Sequence, residues 1–99
     1  MRLNVRDICG QDIISRDAGL KFRKVLLSNW KNKSIEIELG DQVIGSASFF
    51  DEAIALLIKR EKKSIQEITK KLKFVDITNE DKKILNYVLM ARISENEIK

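Results

Sequence analysis

The hydrophobic and polar positions of this chain alternate in some stretches and recur at helical spacing in others, a pattern that predicts a mixed α/β protein. In "RLNVRDI" (residues 2–8), Leu3, Val5 and Ile8 suggest a short strand, closed by a turn at Gly10. Ser15 then stands as an N-cap, with Asp17 in the first turn of a helix reaching about Trp30. Its apolar stripe is Ala18, Phe22, Val25, Leu26 and Trp30, while Lys21, Arg23, Lys24 and Lys31 fall mostly off it. "SIEIEL" (34–39) places Ile35, Ile37 and Leu39 on one face and Ser34, Glu36 and Glu38 on the other. So polar a second face predicts a strand near a sheet edge. "GDQ" kinks or bulges the chain before Val43 and Ile44.

The second helix is expected from about Phe49. Phe50, Ala53, Ile54 and Leu57 follow helical spacing, yet Ala55, Leu56 and Ile58 are apolar as well. Such a segment is either sandwiched in the core or partly covered by a partner, so the helix over 49–58 is also a candidate partner or homodimer surface. "KREKK" (59–63) ends it. "SIQEITKKL" predicts a short helix or an extension of the last, and "KFVDI" a third strand. Thr78 and Asp81 open a final helix at capping-box spacing, with Ile84, Leu85, Val88, Leu89 and Ala91 as its stripe. Residues 94–99 are expected to fray. The order β-α-β-α-(α)-β-α predicts one α/β domain over residues 1–99, with a short, mixed or mostly parallel sheet packed with helices.

Composition narrows the chemistry. With 43% hydrophobic and 34% charged residues, the 99-residue chain has the balance of a soluble globular domain. No apolar run approaches the roughly 20 residues that span a bilayer, and the first ten residues do not resemble a signal or transit peptide. A single cysteine, Cys9, suits a reducing cytoplasm, the expected location, and is expected to be a buried, inert thiol. The chain has no histidine, which removes the Ser/His/Asp and Cys/His nucleophile sets and the usual zinc sites. No catalytic residue, metal ligand or cofactor is therefore expected, and the chain is not expected to be an enzyme. The net charge of +4 raises the alternative of a small basic nucleic-acid-binding regulatory domain using Lys59, Arg60, Lys62, Lys63, Lys70, Lys71 and Lys73. Acids interleave these lysines, and the aromatics mostly fall on apolar stripes. Solvated helix faces and helix-dipole complements are the plainer account.

Two stretches carry candidate chemistry. "GSASFFDE" (45–52) joins a strand end to a helix start, where backbone N–H groups favour anions, but it lacks both GxxxxGK[ST] and GxGxxG. Locally, Gly45 permits a tight turn and Ser48, followed by Asp51, reads as the N-cap, which leaves Ser46 as the freer hydroxyl. Asp51 and Glu52 would sit in the first turn about 100° apart, better suited to complementing the helix dipole than to acid–base work. In "SRDAGLKFR" (15–23), Gly19 within a helix points to close helix–sheet packing, and Arg16 is a candidate to hold a phosphate or a partner's carboxylate.

In this order and spacing, Ser15, Arg16, Gly19 and Arg23, the strand "IEIEL", then Ser48, Phe49, Asp51 and Glu52, and finally Thr78 to Lys83, resemble the STAS-like domain family of unknown function. That family is itself similar to the STAS domains of anti-sigma factor antagonists. The resemblance implies a non-catalytic signalling module bound by a GHKL-type ATPase kinase, which phosphorylates a serine at a helix start. The docking residues it points to are Arg16, Gly45, Ser46, Ala47, Ser48, Phe49 and Glu52. The antagonist loop reads Asp-Ser-Ser-Gly-Leu, which sets Gly45 at the aspartate and Ala47 at the usual acceptor. Ser46 and Ser48 are then the acceptor candidates, each one residue out of register.

Overall fold

The computed structural model describes residues 1–97. Three strands, β1 (Arg2–Asn4), β2 (Ile35–Glu38) and β3 (Leu72–Phe74), form one sheet in the order β1-β2-β3, parallel throughout. Between them run α1 (Val5–Cys9), α2 (Arg16–Ser28) and a composite helix over residues 47–59. That helix is made of α3 (Ala47–Phe50), a π-helical turn (Asp51–Ala55) and α4 (Leu56–Lys59). Then come α5 (Ile65–Lys71) and, after β3, α6 (Asn79–Glu97). The small α/β domain expected from the alternation is therefore present, with all crossovers helical.

Several local expectations are corrected. The first strand stops at Asn4, because the Asn4 side chain accepts the Asp7 N–H and caps a helical turn in which Val5 is buried. β2 is the central strand, not an edge. Its polar face belongs to the solvated side of the sheet, where Glu36 lies in register between Arg2 and Lys73 and its carboxylate pairs with Arg2 at 3.2 Å. The other face buries Ile35 and Ile37. Residues 94–97 continue α6 instead of fraying, with Glu95 held by Lys59 and Arg92, while 98 and 99 lie outside the described residues.

The helix over 47–59 is sandwiched in the core, so the partner-covered alternative falls for most of its length. α2 packs along one side of its π-helical turn and α6 along another, and Phe49, Phe50 and every residue from Ala53 to Ile58 are buried. Phe49 packs between Phe22, tilted at 48°, and Phe50, edge-to-face at 78°, with ring centroids 6.1 and 5.6 Å away. Gly19 lets α2 approach this helix: a Cβ there would lie 2.7 Å from Glu52 Cβ and 2.8 Å from the Phe49 carbonyl oxygen. The packing reason is thus helix against helix, not helix against sheet.

Candidate functional site

The segment joining β2 to the composite helix is held at both ends by aspartates that arrive from the bend after β3 and from α6. Asp76 accepts the backbone N–H groups of Leu39, Gly40 and Asp41 at 2.7, 3.1 and 2.8 Å. The Leu39 bond above all holds its carboxyl below the usual aspartate range; partial burial opposes this, and the Asp41 and Gly40 bonds add to it. Asp81 is fully buried and accepts the N–H groups of Ile44 and Gly45 at 2.8 and 2.9 Å. Its own N–H donates to Thr78 Oγ1 at 3.2 Å, so Thr78 caps α6, but the Asp81 side chain does not close the expected capping box. It spans to the loop instead, and Gly45, at φ +63°, makes the turn there.

The two serines exchange roles relative to expectation. Ser46 is the N-cap: its Oγ accepts the Phe49 N–H at 3.0 Å and donates to the Ile14 carbonyl at 2.5 Å, tying the loop to the segment before α2. The helix begins two residues earlier than the Ser48 cap predicts, which leaves Ser48 exposed in its first turn. Ser15 caps α2 as expected, accepting the Ala18 N–H at 3.0 Å and donating to Asp12.

Around this turn runs a ladder of ion pairs. Asp51 is buried and accepts both Nε (2.8 Å) and Nη2 (2.6 Å) of Arg92, together with Nη1 of Arg16 at 3.0 Å. Burial pushes the Asp51 carboxyl up, but the Arg92 and Arg16 guanidiniums outweigh it and hold the group below its ordinary value. Arg92 also grips Glu95 and, chiefly through Asp51, is held firmly in its charged form. Glu52 takes Arg16 at 3.1 Å and Arg23 at 3.2 Å. Arg23, placed off the apolar stripe by the sequence, is buried and donates to the Glu52 carbonyl at 2.6 Å. Asp51 and Glu52 therefore neutralise the buried Arg23, the half-buried Arg92 and the exposed Arg16, which replaces their reading as dipole complements.

A shallow depression of about 210 Å³ opens over this ladder, lined by Arg16, Ala47, Ser48, Asp51, Tyr87, Val88, Ala91 and Arg92. Of the expected docking residues, it gathers Arg16, Ala47 and Ser48. Gly45 is exposed beside it, Ser46 is half-buried in its cap, Glu52 is engaged by two arginines, and Phe49, only 1% exposed, is core and cannot meet a partner. Tyr87 and Arg92 were missed. Tyr87 is 73% exposed, off the apolar stripe, and Ala91, expected on the stripe, is exposed too. Their sequence signal was weak, since a tyrosine among "ILNYVLM" reads as stripe until the helix phase is known. Cys9 is half-buried at the end of α1, and burial first of all raises its thiol pKa. Among the described residues no three of Cys, Asp and Glu are placed to hold a metal ion, and no helix is long and apolar enough to cross a membrane.

A protein-family model described as a STAS-like domain of unknown function (DUF4325) matches residues 18–82. The match takes in α2 from Ala18 onward, the loop, the composite helix and both anchoring aspartates, and leaves Arg16, Tyr87 and Arg92 outside. Searches of curated proteins and of solved structures gave no match.

Proposed function

The chain belongs to the STAS-like domain family of unknown function, and from that membership we propose that it is a non-catalytic interaction module whose docking surface is the depression around Ser48. The observation that carries this reading is the exposed Ser48 hydroxyl in the first turn of a helix otherwise locked in the core, with the guanidiniums of Arg16 and Arg92 in the same depression. The helix offers a rigid platform, Tyr87 an exposed aromatic anchor, and the arginines charge; aromatic residues and arginine are enriched where proteins bind one another.

The partner is a GHKL-type ATPase kinase, as the resemblance to antagonist STAS domains implies, and Ser48 is its acceptor. Ser46 is a poorer candidate because its hydroxyl already donates to the Ile14 carbonyl and accepts the Phe49 N–H. A phosphate on Ser48 brings roughly −1.5 to −2 charge to a helix start beside two arginines, which competes with Asp51 for them and reshapes the surface a partner must dock on. The test is incubation with a GHKL-type kinase plus ATP, followed by intact mass and site mapping. One phosphoryl group on the wild type and on Ser46→Ala, and none on Ser48→Ala, is the expected result. Transfer to Ser46, or an unchanged mass, removes Ser48 as acceptor. Absence of a complex by size-exclusion chromatography removes the kinase as partner.

A further inference from the structure

The end of the molecule remote from Ser48 carries a separate positive surface. In a parallel sheet with helical crossovers, helix C-termini and strand N-termini meet at one end, and here lysines crowd those junctions. Lys33 precedes β2, Lys70 and Lys71 close α5 just before β3, and Lys63 follows the composite helix. Lys33, Lys70, Lys71 and Glu67 line a depression of about 410 Å³. Trp30 organises its edge: the ammonium groups of Lys63 and Lys71 lie 5.3 and 5.4 Å from its ring centroid, and its Nε1–H donates to Glu67 at 2.6 Å.

Dipole complementation accounts for only part of this cluster: Lys70 and Lys71 lie in the last turn of α5 and complement its dipole. The last turn of α2 contains no basic residue, and Lys33 and Lys63 lie beyond the ends of their helices. Nearby acids neutralise it only in part. Glu67 lines the depression, its carboxylate accepting the Trp30 Nε1–H, whereas Glu61 lies 3.7 Å from Arg23 and Glu95 pairs with Lys59 and Arg92. Among the described residues, Lys33, Lys63, Lys70 and Lys71 make no ion pair with a carboxylate.

We propose that this lysine-lined end binds the phosphate backbone of duplex nucleic acid without sequence preference. Two features favour a phosphate backbone over an acidic protein. Lysine is depleted in protein–protein interface cores, and of the exposed apolar residues Ile14, Val43 and Val75 lie at the opposite end, leaving Met1, beside Asn32, at this one. The Trp30 ring, half-buried and already under two ammonium groups, braces lysines and offers no stacking platform, so bases are not read and single strands gain nothing over duplex. The surface is independent of the Ser48 depression, and each can fail without the other.

The test is fluorescence anisotropy of a labelled DNA duplex of about 20 base pairs, titrated with the full chain at low and moderate salt. Four lysine–phosphate contacts predict a loss of affinity on the order of a hundredfold between about 50 and 200 mM salt. The double variant Lys33→Glu/Lys70→Glu abolishes binding at the lower salt, while Lys82→Glu/Lys83→Glu, which changes net charge equally at the start of α6, retains it. All four of these lysines are exposed, and an unchanged urea midpoint shows that each variant is folded. Three outcomes overturn the proposal: no binding by the wild type at about 50 mM salt, equal loss in both variants, or displacement of duplex by polyglutamate at matched charge concentration.

Discussion

At the scale of single residues, the most consequential side chain is Asp81. It is wholly buried, yet among the described residues it meets no cation; two loop N–H groups and its own helix start surround it. Replacing it by asparagine keeps the volume but turns one acceptor into a donor facing a donor. An orphaned buried polar group costs about 1–3 kcal/mol. Asp81→Asn is therefore expected to lower the urea-derived stability by that amount and to loosen the loop, seen as faster amide exchange at Ile44 and Gly45. Unchanged exchange there would contradict the anchoring role. The sequence displayed Asp81 only as a cap for its own helix, because side-chain reach across 36 residues has no local signature.

At the scale of elements, the crossing of α2 and the composite helix depends on Gly19. Alanine is the better helix former by about 1 kcal/mol, so an isolated α2 would gain from Gly19→Ala. Its methyl would press on the Phe49 carbonyl, which is backbone and cannot rotate away. Overpacking of this kind costs about 1–3 kcal/mol, so a net loss of stability is expected in urea denaturation. A gain would show that the helices separate easily. The composite helix illustrates a related point: its apolar circumference was visible in the sequence, but two burial modes satisfy such a pattern. Only the flanking placement of α2 and α6 decides for the core.

At the scale of the whole molecule, carboxylates of depressed pKa are distributed through the fold, most at the surface and Asp51 buried. Asp76, Asp51, Glu95 and Asp12 are all held below their ordinary values, Asp76 first of all by backbone donors and Glu95 by Lys59 and then Arg92. The unfolded chain then binds more protons than the folded one between the two sets of values, so stability rises with pH there. The contribution is complete above the ordinary carboxylate range and drains away as pH falls through the folded values. The urea midpoint is expected to fall steeply from about pH 5 to about pH 3, and Asp76→Asn to fall less steeply. Parallel curves would count against Asp76 as a contributor. The sequence by itself determined the alternation of strands and helices, the caps at Ser15 and Thr78, and the apolar faces of β2 and α6, because period and capping are local properties of the chain. Tertiary structure alone decided that β2 is central, that Ser46 is committed while Ser48 is free, and that Arg16 and Arg92 converge on Asp51. Those outcomes depend on which groups residues distant in sequence bring within hydrogen-bonding reach, and no periodicity records that. In "GSAS" local spacing gave the cap to Ser48 and left Ser46 the freer hydroxyl, until the Ile14 carbonyl, 32 residues away, claimed Ser46.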